Sequence, residues 1–181
     1  MAPRLTQQVA NAFLPHPPEV LGVAVSGGGD SMALLHLMHG FCSFHAIKLR
    51  AVTVNHGLRA EAASEAGMVR RYCATLGVRH DTLLWNDWNG TGNLQNAARD
   101  ARYGLMAAWA KEHDINTIAL GHTADDQAET FLMRLGRRSG VDGLAAMSNR
   151  IIREGVTFVR PLLAAIRILK AFSLIKPAAS F

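Results

Sequence analysis

Ala24-Val25-Ser26-Gly27-Gly28-Gly29-Asp30-Ser31 decides the fold of this chain. An apolar run, Leu21 to Val25, leads into it, and a second, Met32 to Met38, leads away. The order is buried strand, glycine turn, helix. Three consecutive glycines let the backbone approach a ligand without Cβ obstruction. The helix aims its free N–H groups and positive dipole end back at the loop, which suits a phosphate chain. Ser26 and Ser31 add hydroxyls, and Asp30 adds a carboxylate that can hold a divalent cation against phosphate. No Gly-Lys-Ser/Thr follows, so this is not a Walker A loop, and it lacks the G-x-G-x-x-G dinucleotide spacing. A flexible turn needs only the glycines. Strand, glycines, hydroxyls and helix together favour phosphate binding.

The bulk properties fit one globular domain. The chain has 181 residues, 49% hydrophobic and 18% charged, enough for one core. No stretch reaches the roughly 20 apolar residues of a membrane span. The first residues, Met-Ala-Pro-Arg-Leu-Thr-Gln-Gln, contain no apolar signal-peptide core. Cys42 and Cys73 form no C-x-x-C pair, which argues against a cysteine-built zinc or iron–sulfur site and for a reduced compartment. A cytoplasmic, bacterial-type enzyme fits. The net charge of +5 permits a polyanionic partner, though arginines 70, 71, 134, 137, 138, 150 and 153 also suit solvated helix faces.

Strand and helix signals alternate along the chain. Strands are expected at 21–25, 48–54, 79–85, 116–120 and 157–159. Helices are expected at 31–40, 61–76, 93–113 and 124–135. The long third helix has Leu94, Ala97, Ala98, Ala101, Leu105 and Trp109 on or near one face. This is an α/β pattern: a mainly parallel sheet of about five strands with right-handed crossovers. Ligands bind such sheets at the carboxyl ends of the strands, near a switch in strand order. Residues 85–92 read as a polar loop whose tryptophans serve as packing or as a lid.

Three further clusters carry chemistry. Val54-Asn55-His56-Gly57-Leu58-Arg59 ends the second strand, with Glu65 in the next helix. His56 can contact a base or ribose and Arg59 a phosphate. The same residues also describe a turn with Gly57 at positive φ. Gly121-His122-Thr123-Ala124-Asp125-Asp126-Gln127-Ala128-Glu129-Thr130 follows the fourth strand. His122, Asp126 and Glu129 share a helix face that suits Mg²⁺ or an ammonium group, with Asp125 as an alternative helix cap. The spacing is not that of a catalytic zinc site. Finally, Arg99 and Arg102 point the same way, toward a triphosphate or RNA backbone, or else pair with Asp100 at the surface.

Together the clusters resemble the N-type ATP pyrophosphatase (PP-loop) superfamily, and within it the tRNA(Ile)-lysidine synthase family. The Ser-Gly-Gly-x-Asp-Ser loop matches Ser26–Ser31, and Val-Asn-His-Gly-Leu-Arg matches Val54–Arg59. Ala-Arg-x-x-Arg-Tyr matches Ala98–Tyr103, and His-x-x-Asp-Asp-Gln-x-Glu-Thr matches His122–Thr130. Ser-Gly-x-x-Gly-Leu matches Ser139–Leu144, and Arg-Pro-Leu matches Arg160–Leu162. The loop alone specifies the superfamily; the order and spacing of six segments specify the family. The chain departs at Arg138, where the family usually has glycine, and after Leu163. There the family continues into an arginine-rich stretch and further tRNA-binding domains. Residues 1–163 are thus expected to form the PP-loop domain, and 164–181 an atypical tail produced by truncation.

The resemblance implies a Rossmann-like PP-loop fold and an ATP-dependent ligase. That enzyme attaches free L-lysine to C2 of the wobble cytidine of tRNA(Ile) with a CAU anticodon. The route is an adenylated tRNA intermediate, with release of AMP and pyrophosphate. The implied ATP contacts are Ser26, Gly27, Gly28, Gly29, Asp30, Ser31, His56, Arg59 and Arg99, with Asp30 also on Mg²⁺. The implied catalytic set is Asp30, His122, Asp126 and Glu129. An ATP-binding remnant, or another PP-loop adenylating enzyme, is the alternative. A homodimer stays open.

Overall fold

The structure is a computed structural model, described here over residues 2–55, 57, 61–85, 93–124, 126 and 147–165. Helix α1 (Ala2–Phe13) precedes strand β1 (Val20–Ala24), and helix α2 (Gly29–Phe44) leads to β2 (Lys48–Asn55). Helix α3 (Glu61–Thr75) leads to β3 (Arg79–Leu84), and α4 (Leu94–Glu112) to β4 (Thr117–Leu120). Strands β5 (Arg150–Arg153) and β6 (Val156–Val159) complete one six-stranded sheet, in the order β3-β2-β1-β4-β6-β5.

The four pairings from β3 through β2, β1 and β4 to β6 are parallel; only β5 runs antiparallel, at the edge. Strand order moves outward from β1 to β3 and then jumps back, so β4 lies on the other side of β1. The switch point therefore falls between β1 and β4, directly under the glycine loop. Strands β1 and β4 read as uninterrupted apolar runs because both of their faces are covered. On one face a core of Leu21, Val23, Leu34, Leu35 and Met38 continues into α1 and α3. On the other, Tyr103, Met106 and Trp109 of α4 pack on Ile118 and Phe158.

Two elements depart from the sequence expectation. Helix α1 carries Leu5, Val9 and Phe13 at i, i+4 and i+8, and its apolar stripe closes over α2, with Phe13 against Phe41 at 5.7 Å. So short a helix gains its stability from that partner rather than from propensity. Strand β5 makes the sheet six-stranded. It pairs with β6 through a two-residue turn in which Glu154 and Gly155 have φ of 50° and 79°, the signs a type I′ hairpin requires. The buried stripe of α4 also shifts. Tyr103, Met106, Ala107 and Ala110 face the core, whereas Leu94, Ala97 and Ala101 are only half-buried. The helix expected at 124–135 is described only at Ala124 and Asp126, both helical, and the loop at 86–92 and the tail at 166–181 lie outside the described residues.

Candidate active site

A cleft of about 490 Å³ opens at the carboxyl ends of β1, β2 and β4. Its floor includes Ala24, Val52, Thr53 and Leu120, and its rim carries Ser26, Gly28, Gly29, Asp30 and Ser31. The loop is built to stay open. Gly27 has φ of +89°, a conformation that disfavours any side chain. Ser31 Oγ donates to the Gly28 carbonyl at 2.8 Å and accepts the Ser26 N–H at 3.1 Å. Because Ser31 has one hydroxyl proton, Ser26 Oγ is the donor in their 3.1 Å contact. The two serines therefore brace the loop across its mouth. The first N–H groups of α2 have no partner a turn earlier in the helix and converge on the rim.

Gly121 sets how closely β4 approaches this loop. A Cβ there would lie 2.8 Å from Ser31 Cα and 3.1 Å from Ser31 N, so only glycine fits against the backbone of α2. On the floor, Thr53 Oγ1 donates to the Val25 carbonyl at 2.7 Å, which leaves His80 Nε2 as the donor to Thr53 at 2.8 Å. Burial lowers the His80 pKa, and Arg70 adds to this against the pull of Asp81.

A second wall is formed by Arg102, His122 and Asp126, while Glu65 of α3 lines the cleft beside the loop, where a Cβ on Gly27 would meet its Cβ at 3.4 Å. Arg102 Nε is buried and has no hydrogen-bond partner among the described residues, an unmatched donor on the edge of an anion-sized cleft. Asp126 Oδ2 accepts from the Thr123 N–H at 2.6 Å and the Thr123 hydroxyl at 3.2 Å, the back-reaching half of a capping box. Its carboxylate is thereby fixed at the cleft. The cap expected at Asp125 falls outside the described residues. His122 is neutral: burial, then the charges of Arg102 and Arg160, lower its pKa from 6.5 to about 4.

Ser26, Gly28, Gly29, Asp30, Ser31, His122 and Asp126 meet in the one cleft; Gly27 shapes the loop without lining it. Arg99 is exposed and acts on His122 through its charge, whereas its neighbour Arg102 lines the cleft. Asp100 is matched to Arg153 at 3.0 Å, so the surface pairing expected of Arg99 or Arg102 is made by a residue of β5. Gly57 does take positive φ, at 65°. His56, Arg59 and Glu129 lie outside the described residues. Sequence reasoning on residue types alone missed Arg160, which is 3% exposed and donates from Nε to His122 Nδ1 at 3.3 Å. Its only signal was the Arg-Pro-Leu motif.

The donor set suits a hard cation shared with phosphates. Asp30 and Asp126 offer carboxylate oxygen at the cleft, while no three His, Cys, Asp or Glu among the described residues form a metal cage. Thiol chemistry has no support. Cys42 and Cys73 are buried and unpaired, and burial raises their pKa to about 12 and about 11.

A glycine loop at the switch point of a parallel sheet, facing a cationic and acidic wall, defines a nucleotide-binding α/β domain. Residues 1–171 match the PP-loop domain family, and the chain belongs to that family. It is 56% identical over 163 residues to the tRNA(Ile)-lysidine synthase of Ruegeria pomeroyi, covering 90% of this chain and 39% of that protein. It is 45% identical over 161 residues to the enzyme of the same name from Wolbachia pipientis, covering 88% and 37%. The chain thus spans about two fifths of the length of these relatives. Among solved structures, the U34-tRNA thiolase NcsA of Methanococcus maripaludis with its iron–sulfur cluster superposes with a TM-score of 0.78 at 18% identity, over 99% of this chain and 67% of that one. The NMN synthetase of Francisella tularensis gives 0.60 at 14% identity, over 97% and 70%. These structural likenesses establish the fold. Among the described residues, no helix is long and apolar enough to cross a membrane.

Proposed function

We propose that this chain is the adenylating domain of a tRNA(Ile)-lysidine synthase. Its reaction joins the amine of free lysine to C2 of the wobble cytidine of a CAU-anticodon tRNA(Ile), at the cost of ATP. The observation that carries the reading is the convergence of the Ser26–Ser31 loop, Arg102, His122 and Asp126 on one cleft.

The C2 oxygen of cytosine is a poor leaving group. Its attack on the α-phosphate of ATP forms an adenylate and releases pyrophosphate; lysine then displaces AMP. The N–H groups at the start of α2 hold the departing pyrophosphate, and Arg102 neutralises charge that builds on it. Asp30 holds Mg²⁺, which when bound screens the phosphate charge. Asp126, fixed by Thr123, and Glu129 receive the lysine ammonium. His56, Arg59 and Arg99 contact nucleotide or RNA. The same reading places the chain in the cytoplasm, with 164–181 as a tail and tRNA-binding domains beyond the family's Arg-Pro-Leu segment.

The test is pyrophosphate release from ATP with tRNA(Ile), with and without lysine, run beside a full-length relative. Lysine-dependent modified tRNA establishes the reaction. ATP binding without tRNA-dependent release shows a nucleotide-binding remnant. Release with no lysine product shows a different PP-loop acceptor.

A further inference from the structure

One buried side chain behind the wall of the cleft, touching it only through His122, has no role in the chemistry above. Arg160 directly follows β6 and is 3% exposed. Its guanidinium donates from Nη1 to the Ser148 carbonyl at 2.6 Å and from Nη2 to the Tyr103 hydroxyl at 3.0 Å. Tyr103 is itself 1% exposed and stands edge-on to Phe158 at 4.8 Å, so its oxygen is a fixed anchor. The third donor, Nε, reaches His122 Nδ1 at 3.3 Å.

That last bond has only one polarity. A guanidinium donates and has no acceptor. His122 Nδ1 must therefore present its lone pair to Arg160, and the ring proton of the neutral imidazole sits on Nε2. We propose that Arg160 is a positioning residue that locks His122 as an Nε2–H donor to an anionic oxygen of the nucleotide bound in the cleft. The acceptor half of this proposal rests on the ATP reading above; the tautomer lock does not. The surroundings agree. Arg102 and Arg99 from α4, Arg160 from the end of β6, and Asp126 after β4 are the charged groups acting on the ring, and burial with the three cations keeps it unprotonated. A purely structural pillar would need the Tyr103 and Ser148 bonds but gives no reason for a donor aimed at the histidine.

The tautomer is read directly from long-range ¹H–¹⁵N spectra of the full chain at pH 7, with the His122 signals assigned by their loss in His122→Gln. The expected pattern is a pyridine-type Nδ1 and a pyrrole-type Nε2; the reverse pattern overturns the lock. Arg160→Met should mix the two tautomers and weaken ATP binding on the order of tenfold, the scale of orienting a histidine through its second nitrogen. Where that variant fails to fold, Tyr103→Phe loosens the same guanidinium and should shift the ratio in the same direction. An unchanged ratio in a folded variant overturns the lock. The acceptor half is tested by ATP equilibrium dialysis. His122→Gln puts an amide N–H near the Nε2 position and His122→Asn near Nδ1. His122→Gln should hold ATP affinity within about threefold, and His122→Asn should lose on the order of tenfold. Equal losses overturn the donor assignment. A wild-type chain that binds no ATP overturns the acceptor half together with the ATP reading, while the tautomer spectra still decide the lock.

Discussion

On one side of the cleft, Ser26, Gly28 and Ser31 brace one another across at most five residues of sequence. Behind the wall that carries His122, Arg160 reaches Ser148, His122 and Tyr103 across 12, 38 and 57 residues. The phosphate rim is thus encoded in one window, and its geometry follows from local backbone preferences and hydroxyl chemistry. The polar wall exists only when α4, β4 and β6 are in register. The β4–β6 pairing, Ile118↔Phe158 among its partners, is what brings residues 122 and 160 together. A local device fails through its own residues; a non-local one fails through the packing that assembles it.

Changes on the two sides should therefore behave differently. The largest effect is expected at the rim. Asp30→Asn should lower ATP-dependent adenylation on the order of a thousandfold or more, through loss of charge at the phosphates, with an unchanged thermal unfolding midpoint. Pyrophosphate release and a melting curve on the same preparation check this; normal turnover would remove Asp30 from the mechanism.

On the polar wall the signature is acid sensitivity. His122 is held neutral down to about pH 4, whereas an unfolded chain takes up that proton near 6.5. The unfolded state binds more protons between those values, so stability is full above pH 6.5 and declines toward pH 4, by up to about 3 kcal/mol. Asp81 adds a later loss. Burial pulls its carboxyl up, but hydrogen bonds from Trp109 and Arg50 and the charges of Arg50 and His113 outweigh this and hold it below 3.8. Its contribution persists until the pH falls below that range. Urea unfolding from pH 7 to 4 should show the slope, and His122→Gln should flatten it.

Gly121→Ala tests the joint between the two regions. The new Cβ meets Ser31 backbone, not a flexible side-chain end. A destabilisation of about 1–3 kcal/mol is expected, together with weaker ATP binding as the loop is displaced. Stability lost with ATP affinity intact would separate β4 from the rim. The smallest effect is expected at the exposed Arg153–Asp100 pair, where Arg153→Ala should change stability by less than about 1 kcal/mol and ATP affinity not at all.

The same division explains what could be read from the sequence. Strands β1, β2 and β4 and the glycine loop are legible because buried parallel strands carry apolar runs and a glycine triplet punctuates them, whereas β3, a half-exposed edge strand, shows only through alternation. Helix α1 is not legible, because Leu5, Val9 and Phe13 acquire meaning only against α2. Strand β5 has a weaker sequence signal, the two-residue hairpin turn Glu154-Gly155 between Arg150-Ile151-Ile152 and Val156-Thr157-Phe158. In the site, spacing brought out Asp126 and His122. It could not choose Arg102 over Arg99, since both recur at helical intervals and only the tertiary fold turns one to the cleft. Nor could it give Arg160 a job, because a buried arginine is defined by acceptors distant in sequence.

The two buried thiols have a use apart from the chemistry of the cleft. Cys42 sits on α2, whose first turn forms the phosphate rim, and Cys73 sits on α3. Neither reacts while the helices stay packed, so alkylation rates at the two positions time how often each helix opens. The chain carries its own pair of clocks. A ligand that grips the glycine loop would slow the Cys42 clock more than the Cys73 one, with no label introduced.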